Sequence, residues 1–565
     1  MTKAAVPAVV ISAAALCLCL GCRGSSPRQA ELRSFIDRHV DLMDPLNRRA
    51  NLALWAATTQ GRAEDYNDLE RMQLQIRRVY SSPQDFAFLK SMRESGQVRE
   101  PRLRRQLDKL YLAYLQNQMD PDLLRLITEL DTRIQRAYND YRGSIGDQKV
   151  TMSEIYTILT TDKDVGRREQ AWRASKQVGN AIAADLIRLV RLRNQAAQRL
   201  GFDNYHTLAI VAGEQDLKDL DALFADLDRR TAGPFARMKA ELDQILAAGY
   251  GIPAGDLRPW HYHDPFFQRT PLVYELDLDA FYKGRDIEDL TRRYYAGVGL
   301  PVDDILARSD LYDRPGKDPH AFGQDMDRHG DARVLANLQD TERWMETLLH
   351  ETGHALYSKY HDPNEPWLLR EPAHNFTTEA IAMFFGRLSR NAAWMAQMLG
   401  LSDAQRDQVA KVSARYLEFQ QVLFIRWALV MFEFEKQLYA NPDQDLNGLW
   451  WDLVERYQLL RRPPGPVDAG WASKLHFVKA PCYYHNYVLG EILASQLDHY
   501  LVEHILNRPK GQAVSFTNDP RIGRYLRTHV LGPGARYTWQ EMIRKATGEP
   551  LTPRYFVEQF VRPGL

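Results

Sequence analysis

From about Glu31 to Ile210 apolar residues recur at intervals of three and four, as in Leu110, Leu112, Tyr114 and Leu115, and again in Leu123, Leu124, Leu126 and Ile127. That is the helical period. Charged residues fill the remaining faces, so the segment reads as a succession of helices with solvated outer surfaces. Ser81-Ser82-Pro83, Asp120-Pro121 and Gly201-Phe202-Asp203 supply breaking residues between them. Residues 249–271, 313–331 and 461–470 lose the period. The first two of these carry His and aromatic side chains, content that suits loops lining a site. HAFGQDM (320–326) and ARVLANL (332–338) have the length of two short strands across a turn. No repeat or low-complexity tract interrupts the pattern. A mainly α body is expected, with one domain over 23–565.

The first 22 residues follow another pattern. MTKAAVPAVVISAAALCLCLGC has Lys3, an apolar run and then small residues, the layout of a secretory signal peptide. Leu20-Gly21-Cys22, followed by polar RGSSPRQ, is similar to a bacterial lipoprotein cleavage box, which implies lipid on Cys22. The expectation is export to the bacterial cell envelope, with a lipid anchor holding the body at the outer membrane or facing the periplasm. No other stretch has 18 consecutive apolar residues, so no further span is expected. Of the four cysteines, Cys17 and Cys19 would leave with the signal; Cys22 and Cys482 would remain, which leaves no internal disulfide. Cys482 reads as a small buried apolar residue. The 73 basic and 73 acidic residues balance to a net charge of zero without a basic run, which argues against nucleic acid as a partner. A monomer is the expected state.

The candidate chemistry lies in LLHETGHALYSKY, residues 348–360. On a helix over 344–360, Met345, Leu348, Leu349, Thr352 and Leu356 make the core stripe. His350 and His354 then lie one turn apart, where both imidazoles can reach one tetrahedral ion. Glu351 follows the first histidine and can reach metal-bound water, the HExxH arrangement of zinc peptidases. A third ligand is needed. HNFTTEAIAMFFGRL offers Glu379 on a second helix capped by Thr377 or Thr378; Glu371, beside Pro372, is the rival and reads as loop. One zinc ion per chain is expected, held by His350, His354 and Glu379. Downstream, KLHFVKAPCYYHNYV (474–488) offers His476 and several tyrosines as donors to a developing oxyanion. Tyr483 and Tyr487 share a helix face there, and Lys474 could hold a substrate carboxylate.

In order along the chain, HAFGQD, HETGHALY with TEAIAMFF, and KLHFVKAPCYY resemble the His-Ala-Ser-x-x-Asp, HEMGH with His-Glu-Ala-Ile, and Lys-Phe-His followed by Pro-Tyr segments of the peptidyl-dipeptidase A family, to which angiotensin-converting enzyme belongs. The resemblance covers about 315–500 and continues more faintly upstream. It implies a two-lobed helical zinc peptidase (a gluzincin) with a deep central cleft and a very small β element beside the zinc helix. It implies Glu351 and His476 as catalytic residues, and Lys474 and Tyr483 as holders of the substrate's C-terminal carboxylate. It also implies His320 and Ala321 on a strand edge that binds substrate backbone. The family's oxyanion tyrosine falls ten residues after the histidine, where this chain has Asn486; Tyr487 serves with a one-residue slip, or Tyr484 does. Met383 stands where the family has an acidic residue, and His485 at the chloride-site arginine. RPWHYHDPF yields no counterpart of the glutamine that accompanies the carboxylate-binding lysine. The expected activity is hydrolysis of unfolded peptides with release of C-terminal dipeptides. The alternatives are a thimet-like oligoendopeptidase and a tethered peptide-binding protein without catalysis.

Overall fold

The structure is a computed structural model, and it describes residues 27–271, 277–465, 468–509 and 514–561. The signal segment and Cys22 lie outside the described residues. The expected helical succession is present, with its breaks where the sequence placed them. Ser82 accepts the Asp85 N–H at the start of Pro83–Glu94, and Asp120 accepts two N–H groups at the start of Pro121–Asp140. Each cap satisfies helix-end donors that would otherwise lack partners. One hairpin interrupts the succession, Gly143–Ile145 paired antiparallel with Gln148–Val150. Three-residue strands are too short to leave a period-two signature, so the sequence reading passed over them.

The long helices Val165–Arg199, Leu217–Tyr250 and Asp403–Ala440 form the scaffold of the larger core. Apolar residues from Leu123 to Val561 share that core. A separate, smaller core joins the N-terminal helices, through Leu32, Phe35, Met43, Leu89, Leu107 and Tyr114, to Trp367 and Leu368. The second hairpin pairs Phe322–Asp325 with Ala332–Leu335, in the register Phe322↔Leu335 to Asp325↔Ala332. Its strands are shorter than the two sequence segments that announced them. The N-terminal helix Pro27–Gln60 clasps this hairpin: Asn51 donates to the Asp325 carbonyl (2.9 Å), and Trp55 meets the edge of Phe322.

Three helices converge beside the hairpin. Glu342–Lys359, here the motif helix, packs on Asn375–Gly386, and that helix packs on His485–Tyr500. Two glycines set the spacing. A Cβ on Gly353 would lie 2.8 Å from the Ala382 Cα and 3.2 Å from the Ile381 carbonyl oxygen, both backbone atoms of the neighbouring helix. A Cβ on Gly490 would lie 3.1 Å from the Glu379 Cβ. Backbone cannot swing aside as a flexible side chain can, so any side chain at 353 forces the helices apart. Gly353→Ala is therefore expected to cost about 1–3 kcal/mol. Thermal melts measure it; a variant with wild-type melting would show that the spacing is not critical.

Candidate metal centre and peptide cleft

The motif helix begins at Thr341, whose hydroxyl accepts the Trp344 N–H. The expected stripe of Met345, Leu348, Leu349, Thr352 and Leu356 is buried, which turns His350 and His354 toward the neighbouring helix. The His350 Nε2 lies 3.7 Å and the His354 Nε2 3.9 Å from the same Glu379 oxygen. One donor atom from each of the three residues falls within 4.8 Å of the others. Bonds of 2.0–2.2 Å to a tetrahedral zinc would set neighbouring donors about 3.4 Å apart, so a contraction of a few tenths of an ångström would close the set. The His354 Nδ1 is bonded to the Thr378 hydroxyl at 2.8 Å, which leaves Nε2 for the ion. Burial lowers His350 to about 4 and His354 to about 3, keeping both rings in the neutral, ligating form. Two neutral imidazoles and a carboxylate suit a divalent ion.

Glu379 stands one turn deeper in its helix than expected. The cap is His374, whose ring nitrogen accepts the Phe376 N–H, and Thr377 and Thr378 lie inside the helix. A histidine ring is an uncommon cap, so the threonines drew the sequence reading. Glu371 stays in the loop. It pairs with Arg328 at 2.8 Å and Lys109 at 2.6 Å, away from the three donors. Glu351 accepts the Gly323 N–H at 2.9 Å from the hairpin. Burial lifts its carboxyl to about 7, against that N–H and with help from the nearby Glu379.

Two cavities meet at His350, Met383 and Tyr487. The smaller, about 510 Å³, holds Glu351, His354 and Glu379 together with Ala321, Phe322 and Gly323 of the hairpin side. His320 is not part of that wall; its ring is exposed and bonded to Asp318. The larger, about 660 Å³, is lined by His476, Tyr484, Lys474 and Gln268. Burial brings His476 down to about 4, and its ring meets Tyr484 edge-on. The two tyrosines weighed for the oxyanion differ in what they bond. The Tyr484 hydroxyl accepts the buried Trp427 N–H at 2.6 Å, whereas Tyr487 reaches both cavities. Asn486, at the position the family spacing would give to a tyrosine, is buried and accepts from Gln215. Tyr483 packs on Tyr487 and is absent from the wall that carries Lys474; Tyr484 stands there instead.

The Lys474 Nζ donates to the Gln268 side-chain oxygen at 2.8 Å. Gln268 is the functional residue that the sequence reading missed. It lies two residues beyond RPWHYHDPF and 206 residues before its partner. Cys482 is buried, and its N–H donates to Glu435. The buried His485 bonds Gln215 at 2.7 Å.

A family model described as angiotensin-converting enzyme matches residues 26–228 and 310–561. The chain belongs to the angiotensin-converting enzyme family of peptidases. The unmatched interval, 229–309, contains Gln268, so the family's own pattern gives least guidance where that residue lies. Among curated relatives, the chain is 23% identical over 397 residues to "Thermostable carboxypeptidase 1" of Pyrococcus furiosus, covering 66% of this chain and 72% of that protein. It is 23% identical over 378 residues to the plasmid "Oligoendopeptidase F" of Lactococcus lactis subsp. cremoris, covering 62% of this chain and 57% of that one. Against the "Inactive angiotensin-converting enzyme-related protein" of Caenorhabditis elegans it is 26% identical over 365 residues, 56% of this chain and 39% of the relative.

In this peptidase Glu371 has a structural task. Burial alone would raise its carboxyl, but Lys109 and Arg328 outweigh burial and hold it at about 2. A folded-state value below the unfolded one, about 4.3, adds stability that is complete above the unfolded value and is lost as pH falls toward 2. Glu371→Gln should therefore destabilise the protein by about 3 kcal/mol at pH 7, with about half of that gap gone by pH 3. Chemical denaturation at several pH values reads this; a gap independent of pH would reject it.

Proposed function

We propose that the protein is a zinc-dependent peptidyl-dipeptidase that removes two residues at a time from free C-termini of unfolded peptides. The observation that carries this reading is the Lys474–Gln268 pair, in a cavity that opens onto the three ligand residues through His350 and Tyr487. Tyr484 supports it. Its oxygen already accepts from Trp427, so its own proton is left to donate. An ammonium and a hydroxyl converging in a cavity at the end of a cleft suit a terminal carboxylate. Burial lowers Lys474 to about 8, so it remains largely charged at neutral pH.

His350, His354 and Glu379 would hold the zinc, which when bound supplies a Lewis acid for the scissile carbonyl and acidifies water. Glu351 takes the proton of the attacking water and passes it to the leaving amine. Its lifted carboxyl suits a group that must both accept and return a proton. Tyr487 donates to the oxygen that gains charge on the attacked carbon, and His476 lines the same cavity, each of the two rings packed edge-on against Tyr484. Ala321, which continues the outer edge of the 322–325 strand along the cavity wall, offers backbone groups to an extended substrate, while the Gly323 N–H and the Asp325 carbonyl on that edge are held by Glu351 and Asn51. We further propose that the first 22 residues direct export and that Cys22 carries the lipid; no helix among the described residues is long and apolar enough to cross a membrane.

The competing reading is an oligoendopeptidase, favoured by the relatives that bear that name. The two differ in their need for a free carboxylate. Wild type is expected to release dipeptides from free-acid peptides and to leave C-terminally amidated ones nearly intact, with products read by mass spectrometry. Lys474→Ala should lower kcat/KM on free acids by roughly 50-fold, the loss of a charge-assisted hydrogen bond. Glu351→Gln should keep zinc and lose turnover by about a thousandfold. Equal cleavage of acids and amides would hand the function to the oligoendopeptidases. A zinc-loaded wild type inert on a broad peptide library would make it a tethered peptide-binding protein.

A further inference from the structure

Beyond the terminal-carboxylate clamp, the larger cavity carries more positive charge than its own carboxylates neutralise. Its charged lining consists of Arg269, Arg343, Arg387, Arg390 and Lys474 against Glu346 and Glu491. Arg387 is bonded to Glu491. Arg390 forms a two-pronged pair with the buried Glu342 at 2.8 and 2.9 Å and also approaches Glu346 at 3.4 Å. Lys474 is bonded to a neutral amide. Arg269 and Arg343 have no carboxylate within ion-pair distance among the described residues. A substrate carboxylate docked at Lys474 removes one charge and leaves both guanidiniums with only Glu346, already paired with Arg390, acting on them.

Arg269 is the better placed of the two. It follows Gln268 directly, and its charge already acts on Lys474. The backbone that carries it is fixed on both sides. The Gln268 N–H is held by the Asp264 carboxylate at 3.2 Å, and the Thr270 N–H by the Gln420 side chain at 2.8 Å. The guanidinium thus projects from a positioned segment with no carboxylate at ion-pair distance; Glu346, which it shares with Arg343 and Arg390, acts on it only from farther off. It also lies in 229–309, the interval that the family model does not match.

We infer that Arg269 is a specificity residue that selects an acidic side chain on the last residue of the substrate, so that the released dipeptide ends in Glu or Asp. This rests on the dipeptide-releasing reading: a terminal α-carboxylate held at Lys474 brings the side chain of that same residue into the cavity that Arg269 lines. A carboxylate there gains a planar two-pronged partner that glutamine of the same shape cannot use as well. Lysine at that position meets like charge. Because Arg269 is exposed, the preference is that of a solvent-screened pair and weakens with salt.

The test uses full-length, zinc-loaded protein and a peptide series that differs only in a terminal Glu, Gln or Lys. Wild type is expected to prefer Glu over Gln by about fivefold in kcat/KM at low salt, with Lys slowest. In Arg269→Gln the Glu-to-Gln ratio should fall to near one, and Arg269→Lys should restore part of it. Calorimetric binding of the dipeptides Ala-Glu and Ala-Gln to the same proteins gives the ratio without turnover. A wild type with no Glu preference, or a preference that survives Arg269→Gln, would overturn the inference. Product mapping keeps the two questions apart. Dipeptide products without charge preference sink Arg269 alone, whereas internal cuts sink the reading beneath it.

Discussion

The site depends on one close approach, that of two helices at Gly353. The motif helix supplies two imidazoles and its neighbour the carboxylate, and only a residue without a side chain lets their backbones come near enough for the three donors to converge. Helix packing of this kind fixes distance by contact, so the core brings the ligands close to their final geometry and leaves an ion only a small contraction to complete. The Gly490 contact with Glu379 extends the same constraint to a third helix, the one that begins beside Tyr484 and carries Tyr487. The groups that would bind the metal and those that would meet the reacting carbonyl are therefore registered against each other through close helix contacts, backbone to backbone at Gly353 and backbone to side chain at Gly490.

Burial gives this arrangement its chemistry. The same low-dielectric surroundings that keep His350 and His354 neutral lift Glu351 and Glu379 toward neutral pH. A dication is the one addition that reconciles the set, since it prefers neutral imidazole and returns a carboxylate to its charged state. The larger cavity is built on a different principle. There a buried lysine donates to a neutral amide and has no carboxylate at ion-pair distance among the described residues, which is the feature the proposed carboxylate site rests on.

Much of this was legible in the sequence. The period of three and four gave the helices, and capping residues marked their ends. His350, Glu351 and His354 announce themselves by spacing along one helix, and Glu379 could be inferred because one helix must return beside another. The clamp was harder to read. Gln268 and Lys474 are far apart in the chain and meet only through tertiary packing, and Gln268 follows a loop with no period to count along. The tyrosines show a finer limit. Tyr483, Tyr484 and Tyr487 are close in sequence, yet the chain turns into a helix at His485, and that turn decides which ring enters which cavity. The left-handed backbone at Cys482 (φ 57°) just before it is a feature that no spacing rule foretells.

The N-terminal helices have a core of their own, yet they touch both walls of the metal cavity. The helix Pro27–Gln60 grips the hairpin through Asn51 and Trp55, while Trp367, Leu368 and Glu371 belong to the loop that joins the two ligand helices. Thermodynamic linkage follows. Whatever binds along the hairpin or orders the ligand loop also favours the folded form of that small core, including parts of it far from the ligand. The N-terminal unit thus shares its stability with the two walls that flank the three donor residues, so substitutions at Asn51, Trp55 or Lys109 act on the cavity from outside it.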